Sequence, residues 1–229
     1  LFSEHHFIRT VRFINSKANI FTILNGDLCE CITKSSLGDI YKQTITPSKQ
    51  RDWMIEHLRP IKKKILGMTM GNHEKRIYND SSIDVCADIA DALKIRYRPE
   101  GITIRVVFGS GFDGHKDRPY VYDIYSTHGY GGARTKGGKS VKVERAGHFV
   151  HADVYLMSHD HDVNVAPDNY LMPLTKTEIQ DKTGWEVGKF SAHRKMLIKT
   201  NAYLKWGGYA EMQGFSPTDL ETPIIKFSG

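Results

Sequence analysis

The first hundred residues alternate between amphipathic helical segments and short apolar runs, and this alternation constrains the fold most strongly. Phe7, Val11 and Ile14 recur at helical spacing after Ser3, and the β-rich run IFTIL at 20–24 follows them. The same order is then repeated along the chain. The predicted elements are a helix after Ser3, a strand at 20–24, a helix over 48–64, a strand at 65–70 and a helix over 81–94. This half is therefore predicted to be α/β.

The second half is richer in strand-like segments joined by turns. The predicted strands are ITIRVVFG at 102–109, YVYDIYST at 120–127, ADVYLMS at 152–158 and RKMLIKT at 194–200. A single helix is predicted near 139–148. Strands of this kind beside an α/β half predict two mixed sheets packed face to face with helices outside, a four-layer α/β/β/α sandwich.

Length and composition favour one domain over 1–229. The chain has 229 residues, 40% of them hydrophobic and 25% charged, as in an ordinary globular protein. The sequence shows no apolar run long enough to span a bilayer and no secretory signal, so we expect a cytoplasmic protein with no membrane partner. Three cysteines cannot all pair, and we expect Cys29, Cys31 and Cys86 to be free thiols.

Metal-binding side chains stand where the predicted strands end. These residues are Asp27, Asn72, His128, His159 and His161. In α/β sheets sites gather at the carboxyl ends of strands, so we expect the five side chains to meet in one crevice. Carboxylate, amide and imidazole ligands without a thiolate suit Mn, Fe or Zn better than Ca or Cu(I). The pattern predicts a site for two metal ions.

These residues resemble the motifs of the calcineurin-like metallophosphoesterases. That family carries the blocks D-x-H, G-D, G-N-H-[DE], H (often followed by Gly) and G-H-x-H, and the last four have counterparts here in the same order. The counterparts are Gly26-Asp27, Gly71-Asn72-His73-Glu74, His128-Gly129 and His159-Asp160-His161. The resemblance covers about 20–162 and implies a phosphoester hydrolase of the sandwich fold.

Two departures from the family pattern are visible. No D-x-H stands upstream of Asp27, so we expect a strand and the first block to precede Leu1. The alternative is Glu4-His5-His6, which falls on the first turn of a predicted helix. Ser158 takes the place of the usual glycine before His159.

The resemblance also implies a role for each residue. Asp27 bridges two divalent ions, Mn foremost with Fe, Zn or Ni as alternatives, and acts in catalysis with His73. Asn72, His128 and His159 complete the coordination of one ion, and His161 binds the other ion together with Asp27. Glu74 helps to orient His73. A water that two cations share then attacks the phosphorus in line.

Basic residues point to the substrate class. Arg76 follows the GNHE block, and the glycine-rich segment 131–142 carries Arg134, Lys136 and Lys139. With a net charge of +6, this flexible basic segment predicts phosphodiester or nucleic-acid binding and a nuclease activity.

Alternative functions stay open at this point. The text GDLCECI lacks the arginine of G-D-x-V-D-R-G, which argues against a protein phosphatase. A phosphomonoesterase, and a non-catalytic nucleic-acid-binding module with a half-built metal site, are the other readings. The oligomeric state does not follow from the sequence.

Overall fold

The structure is a computed structural model that describes residues 2–34, 36, 40–108, 119–173, 190–212, 214, 216–217, 219–220 and 222–227. The α-helices in these ranges are α1 (Glu4–Ser16), α2 (Pro47–Leu58), α3 (Asn72–Ser81), α4 (Val85–Leu93), α5 (Lys136–Phe149) and the short α6 (Tyr209–Met212). Two 3₁₀ helices cover Ile40–Lys42 and Arg59–Lys64. No helix in the described ranges has both the length and the apolar character needed to cross a membrane.

The strands form a small sheet and a larger one. In chain order the strands are β1 (Thr22–Asn25), β2 (Ile65–Thr69), β3 (Ile102–Phe108), β4 (Tyr120–Thr127), β5 (Val154–Met157), β6 (Asn164–Pro173) and β7 (Phe190–Lys199). β1 and β2 pair in parallel, and the larger sheet has the order β3-β4-β5-β7-β6. β4, β5 and β7 are parallel, whereas β3 and β6 are antiparallel to their neighbours. The mixed α/β class is therefore confirmed.

Three hydrophobic clusters hold these elements together. The first packs α1, α2 and α4 against the small sheet through residues such as Phe7, Leu58, Met68 and Ile89. Successive residues of β5 and β7 alternate between the other two clusters, as a pleated strand requires. One face of the larger sheet packs against α5, and its other face contacts Ile23 of β1.

Most of the predicted elements are confirmed. The elements that appear only in the structure are α3, β6, α6 and the 3₁₀ helix Ile40–Lys42. α3 begins at the GNHE motif, where no helix is predicted, because its sequence is polar and lacks a regular apolar stripe. β6 contains Pro167 and was not predicted, but it lies at an edge of the sheet, where proline is tolerated. Cys29, Cys31 and Cys86 are free and buried, as predicted.

Candidate metal centre

Four side chains that follow four different strands converge on one small volume. Asp27 follows β1, Asn72 follows β2, and the two histidines His128 and His159 follow β4 and β5. His128 Nε2 lies 3.2 Å from Asp27 Oδ2 and 3.0 Å from Asn72 Oδ1. His159 Nδ1 lies 2.9 Å from Asn72 Oδ1 and 3.3 Å from His128 Nε2. Four of the five predicted metal ligands are thus connected by direct contacts.

Backbone carbonyls determine which ring nitrogen of each histidine carries hydrogen. His128 Nδ1 lies 2.7 Å from the carbonyl oxygen of Asn25, and His159 Nε2 lies 2.5 Å from that of Gly131. A carbonyl oxygen can only accept, so these two nitrogens are the N–H donors. In the neutral rings, His128 Nε2 and His159 Nδ1 therefore carry the lone pairs, and they lie 3.3 Å apart. Metal-binding histidines likewise donate one ring N–H to a protein acceptor and bind the metal through the other nitrogen.

The convergent atoms are better arranged to bind a cation than to form hydrogen bonds with one another. Oδ2 of Asp27, Oδ1 of Asn72 and the two ring nitrogens all offer lone pairs, and a proton on His128 points to one acceptor at a time. A cation can interact with all four of these ligand atoms at once. Among the described residues, the acidic, histidine and cysteine side chains close enough to share one ion are Asp27, His128 and His159, with ligand atoms within 4.8 Å of one another. The mixed N/O set fits Mn, Fe or Zn.

The electrostatics of Asp27 and His128 reflect this closeness. Burial alone would raise the pKa of Asp27, but the hydrogen bond to His128 and the charges of His128 and His73 outweigh it and hold the pKa far below its ordinary value. Burial works to lower the pKa of His128, yet Asp27 outweighs burial and raises it. Burial lowers the pKa of His159. A charged Asp27 at neutral pH is the state that a cation needs.

Two glycines allow Asp27 to reach this position. Gly26 has a φ of 75°, and a Cβ atom there would lie 2.5 Å from the backbone nitrogen of Gly71. A Cβ atom on Gly71 would lie 2.0 Å from Asp27 Oδ1. The ends of β1 and β2 therefore approach each other so closely that neither position has room for a side chain.

Glu74 holds the same two strand ends from beneath. Its Oε2 accepts the N–H groups of Asp27 and Gly71, each at 3.1 Å, and its Oε1 accepts that of Cys29 at 2.8 Å. The side chain is completely buried. Burial, followed by the charge of Asp27, raises its pKa despite these donors. The resemblance implies that Glu74 orients His73, but its carboxylate accepts hydrogen bonds from the backbone N–H groups of Asp27, Cys29 and Gly71.

His73 lies at the edge of the cluster between two carboxylates. Its backbone N–H donates to Asp27 Oδ1 at 3.0 Å, so Asp27 also caps α3. Its Nε2 lies 3.7 Å from Asp27 Oδ2, and its Nδ1 lies 3.6 Å from Glu30 Oε1. Burial works to lower the pKa of His73, but Glu30 and Asp27 together raise it. Glu30 was missed in the sequence, where its only signal is an acidic residue three positions after Asp27.

His161, the fifth predicted ligand, lies two residues beyond His159 and is half-buried. Burial lowers its pKa, and the negative charge of Asp27 acts in the opposite direction. It therefore lies within the electrostatic reach of Asp27. The alternative block Glu4-His5-His6 lies on the first turn of α1, where His6 Nδ1 contacts Ser3 Oγ at 2.8 Å, and it is not part of the cluster of metal-binding side chains.

Asn25, which sequence reasoning also missed, joins the two sheets beneath the site. Its Oδ1 accepts hydrogen bonds from Thr69 and Ser126, each at 3.0 Å, and its Nδ2 donates to Ser158 Oγ at 2.9 Å. Ser158 Oγ in turn contacts Thr200 Oγ1 at 2.6 Å. Ser158 therefore links Asn25 to Thr200. Strand ends from both sheets are held in register by this one amide.

The predicted substrate-binding residues differ in their surroundings. Arg76 is half-buried, donates to Ser36 Oγ at 3.4 Å and acts electrostatically on His73. Arg134 and Lys136 are exposed. Lys139 is only 4% exposed and lies 3.3 Å from Asp162 Oδ2. From Lys136 onward the segment 131–142 is helix α5, so the prediction of a flexible loop is wrong there, and Lys139 is turned away from solvent.

Comparison with protein-family models, curated proteins and solved structures gives no match to this chain. The geometry of the four convergent side chains is therefore the basis for any function assigned to it.

Proposed function

We propose that this protein is a metal-dependent phosphoester hydrolase whose site lies at the ends of β1, β2, β4 and β5. One observation carries the proposal. Asp27, Asn72, His128 and His159 come from four strand ends, and their ligand atoms lie 2.9 to 3.3 Å from a neighbour within the group. Backbone carbonyls already orient both imidazoles for a cation, which a chance cluster of polar residues does not require.

The proposal includes membership of the calcineurin-like metallophosphoesterases and their four-layer α/β/β/α sandwich. The three core clusters support this layering, because helices pack against the small sheet, Ile23 of β1 contacts one face of the larger sheet and α5 packs against the other face. The order of the motifs along the chain agrees with it. The fold and the site are thus proposed from the same set of strands.

Asp27, Asn72, His128 and His159 would hold one divalent ion, and Asp27 with His161 would hold part of a second. Manganese is the first candidate, because the ligands combine carboxylate, amide and imidazole. Bound divalent ions supply a water of lowered pKa and neutralise the charge of phosphoryl oxygens. The chain's own contribution is to orient the ligands and to keep Asp27 ionised.

His73 and Arg76 would act on the substrate itself. The raised pKa of His73, held by Asp27 and Glu30, keeps its ring protonated to higher pH than an ordinary histidine, so the ring can donate a proton to the leaving oxygen. Arg76 lies close enough to His73 for their charges to interact. Its guanidinium can bind a phosphoryl oxygen beside that proton donor.

A phosphodiester, and nucleic acid in particular, is the proposed substrate class. Arg134 and Lys136 are exposed on the segment that follows His128, and Tyr130 beside them is 50% exposed. Exposed cations with an aromatic ring form the surface that single-stranded nucleic acid binds. The buried Lys139 does not contribute to this surface, which leaves fewer cations than the sequence predicts.

Hydrolysis of bis(p-nitrophenyl) phosphate with added Mn²⁺ tests the proposal. We expect turnover by the parent chain that chelation abolishes, and a loss of at least about 100-fold in Asp27→Asn, because a ligand charge is removed. His128→Gln should behave similarly. The matched control is His148→Gln, since His148 is an exposed histidine of α5.

Two results would reject the proposed function. The first is a parent chain that neither binds Mn²⁺ nor hydrolyses the diester. The second is an Asp27→Asn variant that is as active as His148→Gln. If the parent hydrolyses p-nitrophenyl phosphate and not the diester, the phosphomonoesterase reading replaces the nuclease.

A further inference from the structure

Three lysines turn their ammonium groups into the protein behind the segment Ser158–Asp162. Lys199 of β7 has no exposed side-chain surface, and Lys139 and Lys142 of α5 are 5% and 11% exposed at their side chains. Lysine is almost never fully buried unless it is paired. Each of the three has an acidic partner in the segment that carries His159 and His161.

Lys199 grips this segment on both sides of His159. Its Nζ donates to the carbonyl oxygen of Ser158 at 2.8 Å and to Asp160 Oδ2 at 2.6 Å. One ammonium group therefore fixes the residue before His159 and the residue after it. The opposite oxygen, Asp160 Oδ1, receives Lys142 Nζ at 2.7 Å.

The residue beyond His161 is held in a similar way. Asp162 Oδ2 lies 3.3 Å from Lys139 Nζ, so both neighbours of His161 are carboxylates paired with lysines of α5. The result is a ladder of ion pairs along the segment. Neither histidine is a partner in these ion pairs.

The backbone of this segment needs such support. His159 has a φ of 70° and His161 a φ of 50°, in the left-handed region of backbone conformation that residues other than glycine rarely adopt. Buried ion pairs are a poor means of stabilising a fold, because apolar residues of similar size often do so equally well. They do, however, hold a defined geometry, and the geometry they hold here is that of the two histidines.

We propose that Lys142 and Lys199, acting through Asp160, are positioning residues that hold His159 and His161 in place for metal binding. The metal itself rests on the proposed function, whereas the positioning concerns this chain's own residues. Loss of groups that orient metal ligands typically lowers metal affinity by about 10- to 100-fold. We expect a loss in that range for Lys199→Met, which keeps the length of the side chain and removes the donor.

The experiment compares Lys199→Met with a control variant that weakens the fold elsewhere. The control is Leu58→Ala, since Leu58 is buried in the first core cluster, with α1 and α4. Imidazole ¹⁵N NMR of the metal-free proteins reports on His159 and His161 directly, and Mn²⁺ titration by calorimetry reports on affinity. We expect shifted signals of both histidines and weaker Mn²⁺ binding in Lys199→Met, and parent values in folded Leu58→Ala.

Unchanged histidine signals in Lys199→Met would overturn the inference, and so would equal shifts in Leu58→Ala. If Lys199→Met does not fold, the triple variant Lys199→Met, Lys142→Met and Asp160→Asn removes all three charges of the Asp160 group and is judged by the same signals. A parent chain without Mn²⁺ binding would reject the proposed function alone, because the NMR comparison requires no metal.

Discussion

The two halves of the candidate site are built by different means. At the ends of β1 and β2, Asp27 is placed by backbone contacts: two glycines in close approach, and N–H groups gathered by Glu74. At the end of β5, His159 and His161 are placed by side chains, through Asp160 and the lysines that surround it. The first half depends on the absence of side-chain atoms, and the second on the balance of buried charges.

This difference predicts which substitutions and conditions destabilise each half of the site. The half built from backbone contacts should respond to added volume, because a Cβ atom on either glycine would clash with the facing strand end. A half that depends on ion pairs should respond to the removal of a charge and weaken in acid. The variants below test this contrast in order of expected effect.

Asp160→Asn should have the largest effect. The change leaves the completely buried ammonium of Lys199 without its carboxylate, and breaking a buried pair in this way costs about 3–5 kcal/mol. Urea denaturation at pH 7 measures the loss. Asp52→Asn is the control, because Asp52 is 63% exposed at its side chain and should change stability by about 0.5 kcal/mol or less.

The same variant carries a prediction for pH. Burial would raise the pKa of Asp160, but Lys142 and Lys199 outweigh it and hold the pKa below the ordinary 3.8. The unfolded chain therefore takes up this proton at a higher pH than the folded one. The stabilisation by Asp160 is present above pH 3.8 and is lost as the pH falls through the folded value. The difference between parent and Asp160→Asn should narrow below pH 3.8, and a constant difference would contradict the ion-pair account.

Gly26→Ala should disrupt the contact between the ends of β1 and β2 through added volume and backbone strain. Its Cβ atom would lie 2.5 Å from the nitrogen of Gly71, at a φ of 75°. Overpacking and left-handed strain together should lower the free energy of unfolding, measured by urea denaturation at pH 7, by about 2–4 kcal/mol. Gly137→Ala is the matched control, because its Cβ atom would meet nothing within 4 Å and alanine favours helix α5 by about 0.5–1 kcal/mol. Equal stabilities of the two alanine variants would show that the strand ends are not in tight contact.

Local sequence patterns and long-range contacts differ in what the sequence reveals about them. The convergence of Asp27, Asn72, His128 and His159 and most elements could be predicted, because an apolar strand that ends in Asp, Asn or His is a local pattern. α3 could not be predicted, because its sequence is polar and the Asp27 carboxylate that caps it comes from 46 residues before His73. The role of Lys139 was missed for a related reason: a lysine in a glycine-rich segment reads as exposed until its partner Asp162, 23 residues away, is seen.

Ser158→Ala tests the joint between the two halves. The hydroxyl contacts Asn25 Nδ2 and Thr200 Oγ1, so its loss removes two hydrogen bonds and should cost about 1–2 kcal/mol. A double-mutant cycle with Thr200→Val, followed by urea denaturation, separates the Ser158–Thr200 bond from the Asn25 bond. Additive effects of the two changes would mean that Ser158 and Thr200 are not coupled. Ser16→Ala, at an exposed serine of α1, is the control.

The smallest effect concerns exposed lysine and arginine rather than buried ones. Arg134 and Lys136 precede or begin α5 and are exposed, whereas Lys139, one turn further on, is paired inside the protein. If the substrate is nucleic acid, Arg134→Ala with Lys136→Ala should flatten the log–log salt dependence of binding by about 0.7–0.9 for each phosphate that the protein no longer neutralises. Stability should hardly change, and neither should turnover of a small aryl diester, which needs no groove.

Lys139→Met makes the comparison decisive. It should leave the salt dependence of binding as in the parent and lower stability instead, since it leaves Asp162 without its partner. Fluorescence anisotropy with a single-stranded oligonucleotide at about 50 and 200 mM salt, the range over which binding to phosphates is most sensitive to salt, gives the slope for each variant. If Lys139→Met flattens the slope as much as the double variant does, then Lys139 reaches the substrate and the structural distinction between the two ends of this segment is wrong. If neither variant flattens the slope, nucleic acid loses its support as the substrate class. The metal centre is tested separately, by Mn²⁺ binding and diester hydrolysis.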